Sequence, residues 1–317
     1  MAPVVLKLSK TEIDKIKKFY HNDKIDKNIP YTEFIAKTNQ TTITIYTSGK
    51  VMFQGSAAQQ EASRWSKNES LAKTTTKDEK TTKTNRTQQN VLPVDIAQKS
   101  LIGSDEVGNG SYFGPLIVCA VFASTEQLPA LKALGVKDSK MLTDSDIQKL
   151  APKIKEQVAY KILEVTPKKY NEIQPQYNAV RMKVALHNQA IGLLLNEISP
   201  TQPDYILIDQ FTPEANYRKY LKTEKNQVTN RLLFTTKAEQ YHLAVAAASI
   251  LCRAQFLDSL KKGSEELGFS LPSGAGLKSD QVAARILKKG GLSLLENYAK
   301  LHFANTKKAQ KIAGDYK

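Results

Sequence analysis

Cysteine is nearly absent from this chain. Cys119 and Cys252 are the only two among 317 residues. Two thiols exclude a disulfide framework and any zinc site built on four thiolates. Both stand in apolar company (Val118 and Ala120; Leu251), the setting of reduced, buried thiols. Glycine and proline, 15 and 12 residues, are too few for a collagenous or wholly low-complexity chain. Long apolar runs are missing too. The longest, near Pro115 to Ala123, falls far short of a membrane span. No basic segment leading into an apolar one opens the chain, so a reducing, cytoplasmic setting is the expectation. Acidic residues are scarce relative to basic ones: 31 against 46, a formal net charge of +15. That balance favours acidic partners, nucleic acid first and an anionic membrane surface second.

With 41 % hydrophobic and 24 % charged residues, the chain suits one large or two medium globular domains. Composition breaks at residues 67–90, KNESLAKTTTKDEKTTKTNRTQQN, which are rich in Thr and Lys and almost free of apolar residues. This stretch cannot bury a core and reads as a flexible basic linker. It separates a domain at residues 1–66 from one at 91–317. The basic excess is spread over all three segments and is not a tail.

The first segment carries the pattern of a small α+β domain. Val4 to Leu8 reads as a strand. Ser9 with Glu12 is a capping box, followed by Ile13, Ile16 and Phe19 at helical spacing. Thr41 to Tyr46 alternates, Ser48-Gly49 turns, and Val51 to Phe53 returns as a hairpin arm. Ala57 to Trp65 reads as a closing helix. One sheet face carries Thr, Tyr and Lys, and reads as a contact surface or as a solvated face.

The larger segment alternates strands (Leu101 to Ser104, Phe113 to Ala123, Lys161 to Thr166, Tyr205 to Asp209, Leu232 to Thr235) with helices. One helix spans Val180 to Ile198, with Val184, His187 and Ile191 on one stripe. Another spans Ala238 to Leu260. The pattern is α/β with a mixed sheet.

Carboxylates at the ends of buried strands are the main chemical signal. Asp105 and Glu106 follow one strand, Asp209 ends another, and Glu239 follows a third. Acidic groups avoid apolar surroundings unless paired or metal-bound. Converging at one sheet edge, they would form an oxygen-ligand pocket for Mg²⁺ or Mn²⁺, the arrangement of two-metal phosphodiester hydrolysis. Each also has an ordinary reading. Asp105 and Glu106 fit a turn or cap before the glycines, and Asp209 fits the start of a loop. Thr236 and Glu239 fit a capping box. Around them stand candidate substrate contacts. Gly108, Asn109 and Gly110 allow close backbone approach. Asp138, Ser139 and Lys140 offer a hydroxyl and an ammonium to a phosphate. Lys183 and His187 share a helix face at i and i+4. The loop Pro272 to Gly276, with Ser273, offers backbone N–H groups.

Taken in order, GSDEVGNGSYFGPLIVCA (Gly103 to Ala120), DSKML (Asp138 to Leu142), LIDQF (Leu207 to Phe211) and KAEQYHLAVAAASILCR (Lys237 to Arg253) resemble the type 2 ribonucleases H. Within that family the extra N-terminal domain, ALHNQA (Ala185 to Ala190), LPSGAG (Leu271 to Gly276) and KLHFANTKKA (Lys300 to Ala309) are most similar to the ribonuclease HIII branch. The resemblance covers nearly the whole chain. It implies a ribonuclease H-like catalytic domain and an N-terminal α+β domain similar to half-domains of TATA-binding proteins. It also implies hydrolysis of the RNA strand of an RNA–DNA hybrid with Mg²⁺ or Mn²⁺, leaving 5′-phosphate and 3′-hydroxyl ends, without preference for isolated ribonucleotides. The family's four acidic positions fall on Asp105, Glu106, Asp209 and Glu239, the last a Glu where the wider group often has Asp. Its G-x-G falls on Gly108, Asn109 and Gly110, whose backbone is implied to read ribose 2′-hydroxyls. The implied partner is a hybrid duplex bound by a monomer, with no membrane. Two other classes fit the residues alone: a non-catalytic nucleic-acid-binding module, and a DNA nuclease or resolvase sharing the acidic site.

Overall fold

In the computed structural model, which describes residues 4–25, 32–65, 92–137, 139–229 and 231–314, the chain divides into two units, Met1–Thr84 and Asn85–Lys317. The stretch read above as a linker, residues 67–90, lies outside the described residues, as does Asp138.

The first unit runs β1 (Val4–Lys7), α1 (Lys10–Phe19), β2 (Thr32–Lys37), β3 (Thr41–Tyr46), β4 (Lys50–Gly55), α2 (Ala58–Ser63). The strands form an antiparallel sheet in the order β1-β4-β3-β2. Period-2 alternation sends Phe34, Ala36, Ile43, Ile45, Val51 and Phe53 to one face, where Ile13 and Ile16 of α1 and Ala58 and Ala62 of α2 cover them. The expected capping box starts α1: the Ser9 and Glu12 side chains each bond the other's backbone N–H. The opposite face carries Lys7 beside Lys50, Lys37 beside Thr42, and Met52 beside Thr44. At its centre Ile35 and Thr44 are buried, while Lys7, Lys37 and Lys50 are exposed.

The second unit runs β5 (Leu101–Val107), β6 (Leu116–Ala123), α3 (Leu128–Ala133), α4 (Asp144–Gln157), β7 (Ala159–Val165), α5 (Pro167–Ile173), α6 (Ala179–Ile198), β8 (Tyr205–Asp209), α7 (Glu214–Leu221), β9 (Leu232–Thr235), α8 (Leu243–Leu267), α9 (Leu277–Leu295) and α10 (Ala304–Ala313). Its mixed sheet has the order β7-β6-β5-β8-β9, with β5, β6 and β7 antiparallel and β8 and β9 parallel to β5. Leu101, Ile117, Cys119, Val121 and Leu207 face α8 and the helices around it, while Ile102, Val118, Ala120, Ile206 and Ile208 face α6 and α7.

Several boundaries differ from the sequence reading, and three of them bear on the site. β5 does not stop at Ser104 but continues to Val107, because β6 pairs with it opposite Glu106 and Val107. β6 begins at Leu116 instead of Phe113, the chain before it being spent on the turn out of β5. The long helix begins at Leu243, not Ala238. Residues Ala238–Gln240 form a separate 3-10 turn entered through Lys237 at φ 58, so Thr236 and Glu239 make no capping box. α8 is long and apolar enough to match a membrane span, yet 67 % of its most apolar window is buried inside the unit, against β5 and β6.

His242 caps α8. Its Nδ1 accepts from the Ala244 N–H at 3.0 Å, so Nε2 carries the proton and donates to the Lys99 carbonyl at 3.0 Å. Burial lowers its pKa to about 4, against a smaller opposing pull from that carbonyl. A neutral histidine in the fold and a titrating one in the unfolded chain make stability full above about pH 6.5. It is lost as pH falls through that value toward about 4, by about 3 kcal/mol in all. Denaturant melts across this range, on the parent and on His242→Asn, check it: the variant's curve should lack this slope.

Candidate active site

The site follows from strand geometry. Side chains alternate along β5, so Asp105 points to the α8 face with Gly103, and Glu106 points to the α6 face with Ser104. Gly103 lets α8 lie directly on the strand: a Cβ there would sit 2.3 Å from the Val245 nitrogen. Four helix residues rise about 6 Å and two strand residues about 6.6 Å, so Ser249 comes over Asp105 as Val245 comes over Gly103. Ser249 hydrogen-bonds Asp105. It also meets Ser139 Oγ at 2.9 Å, which ties the loop after α3 to the carboxylate.

Because β5, β8 and β9 are parallel, their carboxyl ends share one edge. Ser104 pairs with Ile208 and Asp209 with Thr235, so Asp209 lies one step past the last β5–β8 pair. Its Oδ1 accepts the Ala238 N–H at 2.9 Å, which pulls in the 3-10 turn and its Glu239. Asp105 and Glu239 are both 8 % exposed. Lys140 reaches Glu239 Oε1 at 3.2 Å while most of its own side chain stays in solvent.

Charge crowding is visible in the proton affinities. Asp105 is pushed up to about 8, first by burial and then by the Glu106 charge, with Asp209 adding less. Asp209 is raised by burial, by Glu239 and by Glu106, against the Ala238 N–H. Glu106 goes the other way. Burial opposes its charge, but His187 and Lys183 hold its carboxyl below the usual range. Lys183 Nζ lies 2.7 Å from Oε1 and His187 Nε2 lies 3.0 Å from Oε2. The imidazole is fixed from behind by Ser104 Oγ, 2.7 Å from Nδ1, and stacks on Phe211. Lys183 and His187, one turn apart on α6, thus meet Glu106 rather than open solvent.

The turn out of β5 stands at the mouth of this edge. Gly108 has φ +98, and a Cβ there would come within 2.0 Å of the Pro115 carbonyl oxygen, so glycine is required. Asn109 and Gly110 are exposed. In the Pro272–Gly276 loop, the Gly274 N–H is already engaged by Ser111 Oγ at 2.9 Å, while Ser273 is exposed.

The donor set at the edge is all carboxylate, which suits a hard divalent cation. Burial raises the Cys252 thiol well above its ordinary value, keeping it protonated beneath Asp105 and outside the set. Among the described residues no three acidic, His or Cys side chains already close into a coordination shell. Glu106 is drawn aside by Lys183 and His187, and Glu239 by Lys140. What the edge holds is excess negative charge, and a divalent cation is the group that relieves it.

Comparison with known proteins decides the family. The ribonuclease HII profile matches residues 102–306, and a domain of unknown function (DUF3378) matches residues 3–78. The ribonuclease HIII of Enterococcus faecalis is 61 % identical over 308 residues, covering 97 % of this chain and 98 % of its own. The chain belongs to the ribonuclease HIII family. The ribonuclease HIII of Lactococcus lactis subsp. cremoris is 48 % identical over 311 residues, 98 % of this chain and 99 % of its own. The crystal structure of Bst-RNase HIII in complex with Mn²⁺ superposes with a TM-score of 0.70 at 37 % identity, covering 99 % of this chain and 100 % of that one. Both expected architectures, the N-terminal α+β unit and the ribonuclease H-like mixed sheet, are those of this family. As a ribonuclease HIII the chain is a metal-dependent endoribonuclease of the ribonuclease H type, acting on RNA–DNA hybrids. Sequence reasoning passed over Ser104 and Ser249, which act at one remove by holding His187 and Asp105. Both stand inside motifs quoted above, Ser104 before Asp105 and Ser249 in the Ala-rich run, but only their contacts with His187 and Asp105 mark them.

Proposed function

We propose that Asp105, Asp209 and Glu239 form the catalytic edge, that Glu106 completes it, and that the Gly108–Asn109–Gly110 turn presents the scissile ribonucleotide to it. The observation that carries this reading is Asp105. A carboxylate pushed up to about 8 by burial and then by its acidic neighbours has no structural use that an asparagine would not serve better. Asp105, Asp209 and Glu239 would hold the divalent metal, with Glu106 as a further ligand; when bound, the metal would supply the positive charge that polarises the phosphodiester and activates water. The protein's own groups do the positioning. Ser249 and the Glu106 N–H orient Asp105, the Ala238 N–H orients Asp209, and Lys183 with His187 keeps Glu106 ionised and aimed. Lys140, exposed beside Glu239, is placed to meet a substrate phosphate, with Ser139 anchoring its loop. Backbone N–H groups of the glycine turn and of the loop around Ser273 face the hybrid, the former at the ribose 2′-hydroxyl. The products are 5′-phosphate and 3′-hydroxyl ends. The lysine-bearing sheet face of the first unit binds the duplex through the exposed Lys7, Lys37 and Lys50. One copy acts alone, since every group in this scheme comes from one chain, and it works in the cytoplasm.

The test is cleavage of a labelled RNA–DNA hybrid, a DNA duplex with a single ribonucleotide, and plain DNA, each with Mg²⁺, Mn²⁺ or chelator. Metal-dependent cutting of the hybrid alone is the expected result. Cutting of plain DNA would make the site that of a DNA nuclease. Binding without cutting in any metal would make the chain a binding module.

A further inference from the structure

Lys300 is fully buried, in the segment between α9 and α10, and nothing in the reaction scheme uses it. No carboxylate pairs with it among the described residues. Its ammonium donates to the Ser111 carbonyl at 2.8 Å and, closer still, to the Gly114 carbonyl. The Tyr170 ring lies 5.8 Å away. Burial lowers its pKa to about 7, so the charged form is held at a cost. An apolar side chain of the same length would fill the space more cheaply. What it would not do is hold two carbonyls.

Those carbonyls bracket the return from the glycine turn. The Ser111 N–H bonds the Gly108 carbonyl at 3.2 Å and closes the turn, and Pro115 packs against Gly108. The same short segment is laced to the Lys300 region by backbone bonds. The Lys300 N–H donates to the Tyr112 carbonyl at 2.9 Å and the Gly114 N–H to the Tyr298 carbonyl at 3.0 Å. On the other side Ser111 Oγ accepts the Gly274 N–H, and the Tyr112 N–H donates to the Gly274 carbonyl at 3.0 Å. Asn171 in turn fixes the Lys300 segment, donating to the Ala299 carbonyl and accepting from the Leu301 N–H, each at 2.9 Å.

We propose that Lys300 is a positioning residue for ribose recognition: by gripping the Ser111 and Gly114 carbonyls it sets the orientation in which the Gly108–Gly110 turn meets the 2′-hydroxyl. The inference rests on the assignment of that turn to the ribose. It makes the C-terminal segment, distant in sequence, a determinant of RNA-over-DNA selectivity.

The experiment compares the full-length parent with Lys300→Met on an RNA–DNA hybrid and on the same hybrid carrying one 2′-deoxynucleotide at the preferred cleavage position. In the parent the deoxy substitution suppresses cutting at that position. In Lys300→Met the suppression weakens about tenfold and KM rises about tenfold, while kcat stays within about threefold, as expected for a displaced contact that leaves the carboxylate edge intact. A folded Lys300→Met with the parent's discrimination overturns the proposal, whether or not KM moves, and leaves Lys300 a core residue. A parent that ignores the deoxy substitution overturns instead the assignment of the turn. If Lys300→Met does not fold, Ser111→Ala loosens the same segment from its other side with Lys300 in place. The same loss of discrimination is expected there, and full discrimination in Ser111→Ala overturns the proposal.

Discussion

Asp105→Asn abolishes hydrolysis and yields a protein that, without divalent metal, is more stable than its parent. The rate should fall by about a thousandfold or more, roughly 4 kcal/mol of barrier, because the substitution removes a charge from the centre of the edge that holds the metal. Stability moves the other way. The Asp105 pKa is about 8 in the fold and ordinary in the unfolded chain, so the folded state binds the extra proton. The contribution of a carboxyl with a raised pKa declines as pH rises from about 4 to about 8, and at pH 7 it costs up to about 4 kcal/mol. Asparagine keeps the shape: its oxygen can still accept the Glu106 N–H, and its amide can donate to Ser249. Denaturant melts in chelator should show the variant ahead of the parent at pH 8 and the gap closing toward pH 4. Hybrid binding should survive. Turnover at the parent's rate would remove Asp105 from the chemistry. Lost stability together with lost binding would mean that asparagine disrupts the edge rather than discharging it.

The second large effect concerns the first unit. Replacing Lys7, Lys37 and Lys50 together by Ala should raise KM for the hybrid about tenfold at moderate salt, with kcat little changed. If all three meet phosphates, the slope of log affinity against log salt should fall by up to about 3. The three are exposed and rooted on the sheet face opposite the one packed on α1 and α2, so the core should be untouched. Fluorescence anisotropy across a salt series reads the slope directly. An unchanged slope would leave this a solvated face, the other reading its Thr and Lys content allows.

How far the sequence was legible depended on the range of the forces involved. The Ser9–Glu12 capping box was readable because a cap is closed within four residues, and the Thr41 to Phe53 hairpin because its alternation and its Ser48-Gly49 turn are local. Thr236 and Glu239 have the same local spelling, and there the reading failed. A capping box would direct the Glu239 N–H to Thr236, but Asp209, 29 residues earlier in the chain, takes the adjacent Ala238 N–H and draws this segment into a 3-10 turn. Lys237 accordingly adopts a left-handed conformation, and the helix starts later, at Leu243, capped by His242. β5 was read too short for a similar reason. Asp105 and Glu106 look like the end of a strand, yet pairing with Cys119 and Val118 on β6 keeps them in it.

The sequence by itself determined the fold class, the family and the acidic positions, because strand alternation, helix periodicity and motif order are written along the chain. Only the tertiary structure decided what those positions do to one another. Adjacent carboxylates on one strand point to opposite faces, so Asp105 is buried beside the acidic edge and is pushed up, while Glu106 meets Lys183 and His187 and is held down. The same holds for Lys300, whose two carbonyl partners lie more than 180 residues away in the chain. Burial and charge act through space, and space is assigned only when the strands pair and the helices close over them.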